Sequence, residues 1–199
     1  MRKIIVCLTG MPGAGKSTIA DGLRLRGYAA VSMGDAVREE ARKRDLEPTR
    51  ANLGRIMREL RETTGPGAVA DLVGRGIARS ASGVVLVDGV RSNDEVRSLS
   101  KFGSPRVLAV HASTDTRFEY LQARGRPDDP QTRTHFEERD AREMSVGIGD
   151  SIALSDYALS NTGLTRRELV DAASSVIDGW VRDERRREGG EAAATGDPQ

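Results

Sequence analysis

Short runs of consecutive apolar residues alternate along the chain with longer segments in which apolar residues recur every three or four positions. Runs of the first kind, rich in Val, Ile and Leu, are typical of parallel strands covered on both faces, and segments of the second kind predict amphipathic helices. We predict strands over 3–9, 28–32, 83–89, 106–112 and 156–161. We predict helices over 15–26, 34–45, 50–63, 67–80, 92–102, 114–125, 133–146 and 164–184.

The alternation of strands and helices indicates an α/β domain with a parallel sheet. The chain has 199 residues, which is enough for one domain with its own core, and it shows no internal repeat. We therefore assign residues 1–184 to a single domain. The Gly, Glu, Ala and Pro content of residues 185–199 predicts a disordered tail.

The amino-acid composition limits the kinds of partner that the protein is expected to bind. The formal net charge is +1, so nothing suggests bulk attraction to nucleic acid or membranes. Cys7 is the only cysteine, which rules out an internal disulfide and fits a reducing compartment. The N-terminal apolar run is too short to span a bilayer. We expect a soluble cytoplasmic protein, either a monomer or a homodimer, that binds neither membranes nor nucleic acid.

Residues 10–17 read GMPGAGKS, which matches the phosphate-loop pattern G-x-x-x-x-G-K-[ST] in its required place between a strand and a helix. Gly13 and Gly15 let the backbone curl so that successive N–H groups point at phosphate oxygens. Lys16 would reach the β and γ phosphates of ATP, and the Ser17 hydroxyl would bind Mg²⁺. The alternative is a glycine-rich turn that binds nothing. The residues expected to contact ATP here are Gly10, Met11, Pro12, Gly13, Ala14, Gly15, Lys16, Ser17 and Thr18.

Asp88 ends the apolar run VVLVD. Ligands of open α/β sheets bind at the carboxyl ends of the strands, so this carboxylate is a candidate for the Mg²⁺ shell, through water. The alternative is an Asp in a strand-ending turn before Gly89. The sequence contains 4 lysines and 27 arginines, so a lysine in a motif is informative and an arginine much less so.

Four further segments resemble nucleotide kinases. VSMGDAVR (31–38) resembles the ISTGDMLR segment of adenylate kinases, VVLVDGVR (84–91) resembles their FVLDGFPR, and RGRPDDP (124–130) resembles their lid. SDYALSNTGLTRREL (155–169) resembles the closing segment of dephospho-coenzyme A kinases. The pattern over about residues 1–180 is similar to a family of archaeal P-loop proteins described as dephospho-coenzyme A kinase-like or nucleotide kinase-like.

This resemblance implies the P-loop NTPase fold of nucleoside monophosphate kinases, with a five-stranded parallel sheet in the order 2-3-1-4-5. It implies a helical acceptor-binding insert at 33–65 and a short lid at 124–142, which has no cysteine and hence no zinc. The implied activity is transfer of the γ-phosphoryl group of ATP, with Mg²⁺, to a small phosphate-bearing acceptor. A nucleoside monophosphate is the first candidate acceptor, and dephospho-coenzyme A is the alternative.

The resemblance also implies roles for individual residues. Arg38 and Arg91 would hold the acceptor phosphate, and Asn161 would lie near the adenine. Asp35 would orient the acceptor or act as a base, although it fits a helix N-cap equally well. The arginines that could cover the moving phosphoryl group are Arg124 (on ATP), Arg126 and Arg139 (catalytic), Arg133 and Arg142. Each of these also fits an ordinary surface charge.

The main alternative from another class is a nucleotide-dependent switch that binds or slowly hydrolyses ATP or GTP. The sequence lacks an Asn/Thr-Lys-x-Asp segment, which argues against a classical GTPase. Asp128 and Asp129 fit either a helix cap or a solvated turn. His111 is expected in the core or at a strand end and His135 at the surface, so no zinc site built by the protein is predicted.

Overall fold

The computed structural model describes residues 2–125 and 129–194, except for the side chains of Arg50 and residues 189–194. Five parallel strands form one sheet in the order β2-β3-β1-β4-β5, which confirms the predicted fold. The strands are β1 (Ile4–Thr9), β2 (Ala29–Ser32), β3 (Val84–Asp88), β4 (Ser104–His111) and β5 (Tyr157–Ser160).

Helices flank the sheet on both faces. Those in the described part of the chain are α1 (Lys16–Leu25), α2 (Met33–Lys43), α3 (Arg50–Thr64), α4 (Ala68–Arg79), α5 (Asn93–Leu99), α6 (Thr114–Arg124), α7 (Arg133–Ser145), α8 (Ile148–Ala153) and α9 (Arg166–Ala194). None of them is long and apolar enough to cross a bilayer.

The core has two halves because successive residues of a buried strand point to opposite faces. Ile5 and Cys7 of β1 point toward α2, α3, α4 and α5 and belong to one apolar cluster. Ile4, Val6 and Leu8 point to the other face, where α1 and α9 complete a second cluster. The continuous apolar run of β1 follows directly from burial on both sides.

Two elements differ from the sequence-based expectation. Helix α8 was not predicted, because Gly147 and Gly149 weaken local helix propensity. It is held in place by packing: Ile148 is buried, and the buried Ser151 hydroxyl lies 2.7 Å from that of Thr9 on β1. Tertiary contacts of this kind stabilise helices too short to form alone.

The second difference concerns the C-terminal segment. The expectation of a disordered tail from residue 185 is corrected for residues 185–194, because α9 continues to Ala194. Arg, Glu and Ala are strong helix formers, and they dominate this stretch. The main-chain N–H of Arg2 also donates to Oε1 of Glu188 at 2.8 Å. Residues 195–199 lie outside the described residues.

Candidate active site at the phosphate-binding loop

The sheet register brings the predicted motifs to one edge. Asp88 at the end of β3 is level with Leu8 of β1 on one side and with Ser32 of β2 on the other. The phosphate loop follows β1, and α2 begins at Met33, directly after β2. Because parallel strands share a carboxyl edge, the loop, Asp88 and the start of α2 adjoin one another.

Glycine is needed in the loop for its backbone conformation and for space. Gly13 has φ of 83° and Gly15 has φ of 108°, both in the left-handed region that favours glycine. A Cβ on Gly13 would lie 2.6 Å from the carbonyl oxygen of Arg117. A Cβ on Gly15 would lie 2.5 Å from Nδ2 of Asn161. The loop is therefore closely packed against α6 and against the segment after β5.

Lys16 opens α1 and is partly buried. Its Nζ donates to the carbonyl oxygens of Gly10 at 2.5 Å and Met11 at 3.1 Å. Burial lowers the pKa of its ammonium to about 8, whereas the negative charges of Asp88 and Glu143 act in the opposite direction. The ammonium is thus held inside the loop, close to where phosphate oxygens would enter.

Ser17 and Asp88 form the candidate metal site. The Ser17 hydroxyl donates to Oδ2 of Asp88 at 3.2 Å, so the two side chains converge from α1 and from the end of β3. Hydroxyl and carboxylate oxygens are ligands that Mg²⁺ prefers. The donor set fits the expected ion, and Mg²⁺ would be held by Ser17 directly and by Asp88 through water.

Arg117 contacts the backbone of the phosphate loop, and no sequence motif singles it out. Its buried guanidinium donates from Nη1 to the carbonyl oxygen of Pro12 at 3.0 Å. The same group forms a two-point ion pair with Asp140 of α7, at 2.9 and 2.5 Å, and lies 4.8 Å from the centre of the Phe136 ring. One buried cation therefore joins α6, α7 and the phosphate loop.

Asn161, which was expected near the adenine, contacts the loop itself. Its side-chain amide donates to the carbonyl oxygen of Ala14 at 2.9 Å, and its main-chain N–H donates to the carbonyl oxygen of His111 at 2.7 Å. The side chain is buried. This contact gives Asn161 a role in fixing the loop backbone, separate from any contact with the base.

Asp35 and Arg38 lie on the first turns of α2, where Nη1 of Arg38 is 2.7 Å from Oδ1 of Asp35. The Asp35 side chain is 68% exposed. It does not cap the helix: the cap is Ser32, whose hydroxyl accepts from the main-chain N–H of Asp35 at 3.2 Å. The N-cap interpretation of Asp35 is therefore wrong, and the carboxylate is available at the surface beside Arg38.

Arg91 contacts two carboxylates, one through its main chain and one through its side chain. Its main-chain N–H donates to Oε2 of the buried Glu95 at 2.8 Å, and its Nε lies 3.3 Å from Oε2 of Glu143 on α7. Burial raises the pKa of Glu95, opposed by its hydrogen bond to Arg91 and by the charge of Arg61. Glu143 was not identified from the sequence, where it is one of 30 acidic residues.

The arginines of the predicted lid separate into two groups. Arg124 binds both carboxylate oxygens of Asp129, and Nη1 of Arg139 lies 3.3 Å from the same carboxylate. Asp129 is fully buried, so its interpretation as a helix cap or a solvated turn is wrong; Thr132 caps α7 instead. Burial of the carboxylate is tolerated because two guanidinium groups surround it.

The remaining lid residues are more exposed. Arg133 pairs with Asp115 at 2.5 Å and lies over the Phe118 ring, and Arg142 is exposed on the last turn of α7. Arg126 and Asp128 lie outside the described residues. His111 is exposed at the end of β4, and His135 is exposed on α7. Within the described ranges, no three His, Cys, Asp or Glu side chains cluster as a metal site would require.

Comparison with solved structures supports the fold. TT1252 from Thermus thermophilus superposes with a TM-score of 0.66 and 21% identity, over 90% of this chain and 98% of that one. Shikimate kinase from Bacteroides thetaiotaomicron superposes with a TM-score of 0.56 and 15% identity, over 88% of this chain and 98% of that one. Shikimate kinase from Acinetobacter baumannii, in complex with shikimate, superposes with a TM-score of 0.56 and 15% identity, over 91% of this chain and 94% of that one. At these identities the likeness shows a P-loop kinase-like fold alone.

Sequence relatives establish the family. A family model described as an AAA domain matches residues 6–145. The UPF0200 protein of Hyperthermus butylicus is 48% identical over 159 residues, covering 80% of this chain and 86% of that protein. UPF0200 protein TK1334 of Thermococcus kodakarensis is 45% identical over 180 residues, covering 88% and 97%. The chain, with its five-stranded kinase-like sheet and complete phosphate loop, therefore belongs to the UPF0200 family of archaeal P-loop proteins.

Proposed function

We propose that the protein transfers the γ-phosphoryl group of ATP to a small-molecule acceptor. One observation carries this proposal: the Lys16 ammonium and the Ser17–Asp88 pair converge at the carboxyl edge of the sheet. Phosphoryl transfer depends mainly on positioning and on neutralising charge, and this arrangement supplies both. The kinase-like fold agrees with it.

Each residue has a defined task in this reaction. The main-chain N–H groups of the loop would bind the phosphates, and Lys16 would exchange its bonds to Gly10 and Met11 for bonds to β and γ oxygens. Bound Mg²⁺ would neutralise charge on the β and γ phosphates. Arg117 and Asn161 hold the loop backbone in place, which spares reorganisation when the nucleotide binds.

The acceptor would enter beside α2 and the end of β3. A nucleoside monophosphate is the first candidate, with Arg38 and Arg91 as phosphate ligands after they release Asp35 and Glu143. Dephospho-coenzyme A is the second candidate, supported by the sequence of residues 155–169. Arg124 and Arg139, held on the buried Asp129, would neutralise charge on the transferred group from the lid side.

The test is a coupled assay of ADP release with ATP and Mg²⁺, run over nucleoside monophosphates, deoxynucleotides and dephospho-coenzyme A. One acceptor should raise ADP release well above the rate with water, and Lys16→Ala should abolish that gain. Lys43→Ala, an exposed lysine at the end of α2, is the matched control and should leave it intact. Slow hydrolysis that no acceptor accelerates would contradict the kinase proposal and favour a nucleotide-dependent switch.

A further inference from the structure

Glu143 has a carboxylate oxygen that the described fold leaves unsatisfied. The side chain is 13% exposed, and Oε2 is buried without a hydrogen-bond partner among the described residues. Arg91 Nε is 3.3 Å from this oxygen, close enough for charge attraction but not aligned as a hydrogen bond. Buried carboxylate oxygens are usually hydrogen-bonded, so an exception calls for an explanation, and a missing ligand is one.

The position of Glu143 connects it with the phosphate loop. It lies on the last turn of α7, and its negative charge acts on the Lys16 ammonium together with that of Asp88. Asp35, the carboxylate that the sequence suggested for the acceptor, is 68% exposed and already bonded to Arg38. Of these two carboxylates, Glu143 is the one shielded from water and close to Lys16.

A cavity of about 540 Å³ lies between the start of α5 and the end of α7, although neither Arg91 nor Glu143 lines it. The residues that follow Arg91 and Glu143 in sequence both line it: Ser92 and Asn93 from the start of α5, Met144 and Ser145 from the end of α7. The volume falls in the usual range for small-molecule sites. Its lining also carries the charged side chains of Asp94, Arg97 and Asp150, so it suits a polar ligand the size of a sugar or nucleoside.

We propose that Glu143 contacts the acceptor and that the reacting group of the acceptor is an alcohol; this rests on the proposed phosphoryl transfer, and of its two candidate acceptors it favours dephospho-coenzyme A over a nucleoside monophosphate. The hydroxyl donates its hydrogen bond to Oε2 of Glu143. Its oxygen then forms a bond to the γ phosphorus as the bond from that phosphorus to the β–γ bridging oxygen breaks. The hydroxyl proton passes to Glu143 and the electron pair leaves with ADP, giving a phosphate monoester.

The charges around Arg91 favour an alcohol over a phosphate as the attacking group. Glu143 offsets the positive charge of Arg91, and the buried Glu95 accepts a hydrogen bond from the main-chain N–H of the same residue. A phosphate placed on Arg91 would also lie against the Glu143 carboxylate, and the two anions would repel each other. An O–H group instead fills the vacant acceptor position on Oε2.

Phosphorus NMR of the product tests the class of acceptor. Nucleosides, hexoses, dephospho-coenzyme A and nucleoside monophosphates are incubated with ATP, Mg²⁺ and the full chain. A new phosphate monoester signal is expected. A new phosphoanhydride signal would show kinase activity but overturn the role of Glu143. The absence of any phosphorylated product would overturn the proposed function, and this inference with it.

Variants test the residue once an acceptor reacts. Glu143→Gln keeps the shape but cannot take the proton, and it should lower kcat by roughly 10²- to 10⁴-fold while the KM for ATP stays nearly constant. Glu143→Asp should restore part of the loss. Glu119→Gln, the same change at an exposed position on α6 outside the lid, is the control and should match the wild type. A kcat for Glu143→Gln within about threefold of the wild type would overturn the proposal.

Discussion

The guanidinium of Arg117 on α6 donates a hydrogen bond to the carbonyl oxygen of Pro12 at 3.0 Å, inside the phosphate loop. The same group is paired at two points with Asp140 of α7. The Arg117 side chain is only 7% exposed. A single buried cation thus connects the loop that would bind ATP to α7, the helix that carries Arg139 and Glu143. A movement of α7 would therefore displace the loop.

Asp140→Asn should destabilise the protein by about 3 kcal/mol, because it leaves the buried Arg117 charge with neutral partners only. Urea unfolding followed by circular dichroism measures this. Asp115→Asn is the matched control: its partner Arg133 is about half exposed, and loss of a surface pair costs about 1 kcal/mol or less. Equal losses in the two variants would show that the Arg117–Asp140 pair contributes no more than a surface pair.

Asn161→Asp replaces a donating amide with a carboxylate of the same size. The carbonyl oxygen of Ala14 then loses its buried donor and faces a negative charge, which should cost at least about 2 kcal/mol and weaken ATP binding. Thermal unfolding and ATP titration measure the two effects. Asn52→Asp is the control, since Asn52 makes a similar 2.9 Å bond to the carbonyl oxygen of Glu47 on the exposed surface. An unchanged affinity for ATP would argue against a role for Asn161 in shaping the loop.

Comparing Gly15→Ala with Gly27→Ala distinguishes the effect of steric crowding from the effect of backbone strain. Both glycines have positive φ, 108° and 90°, so alanine is strained by about 1–3 kcal/mol at either site. A Cβ at Gly15 also meets Nδ2 of Asn161 at 2.5 Å, whereas nothing lies within 4 Å of a Cβ at Gly27. Calorimetric titration should show that Gly15→Ala weakens the affinity for ATP by about tenfold or more. Gly27→Ala should leave this affinity unchanged. Similar losses in both would indicate that global destabilisation is responsible.

The sequence predicted the elements whose signals are local. The glycines, Lys16 and Ser17 form a contiguous motif, and Asp88 ends an apolar run, so both could be placed at the sheet edge in advance. The order of the strands came from resemblance to known kinases. Helix α8 escaped prediction because only its packing against Thr9 stabilises it.

Contacts between distant residues left no comparable signal. Arg117 is 105 positions from Pro12 and 23 from Asp140, and it looks like any other of the 27 arginines. Asp129 lies in a polar stretch that is typical of a turn, yet its burial depends on Arg139, ten positions away. Pairings of this kind become visible only when the helices are placed in space.

The partly buried Lys16 ammonium should make the stability of the nucleotide-free protein depend on pH. The pKa of Lys16 is about 8 in the folded protein, and the ordinary value of 10.5 applies to the unfolded chain. Between these two values the unfolded chain holds a proton that the folded chain has released. The free energy of unfolding therefore rises with pH by about 3 kcal/mol across the whole window. Roughly half of this rise falls between pH 8 and 9.5.

Lys16→Met isolates this contribution, because methionine fills similar space without a charge. Burial raises the pKa of the Cys7 thiol, which makes stability fall with pH in the same range, but it does so equally in both proteins. The measured quantity is the difference in free energy of unfolding, wild type minus Lys16→Met, from urea curves at pH 7.5, 8, 9 and 9.5. This difference should increase with pH. A flat difference would mean that Lys16 keeps its ordinary pKa, as it would if the ammonium were hydrated rather than enclosed by the loop carbonyls.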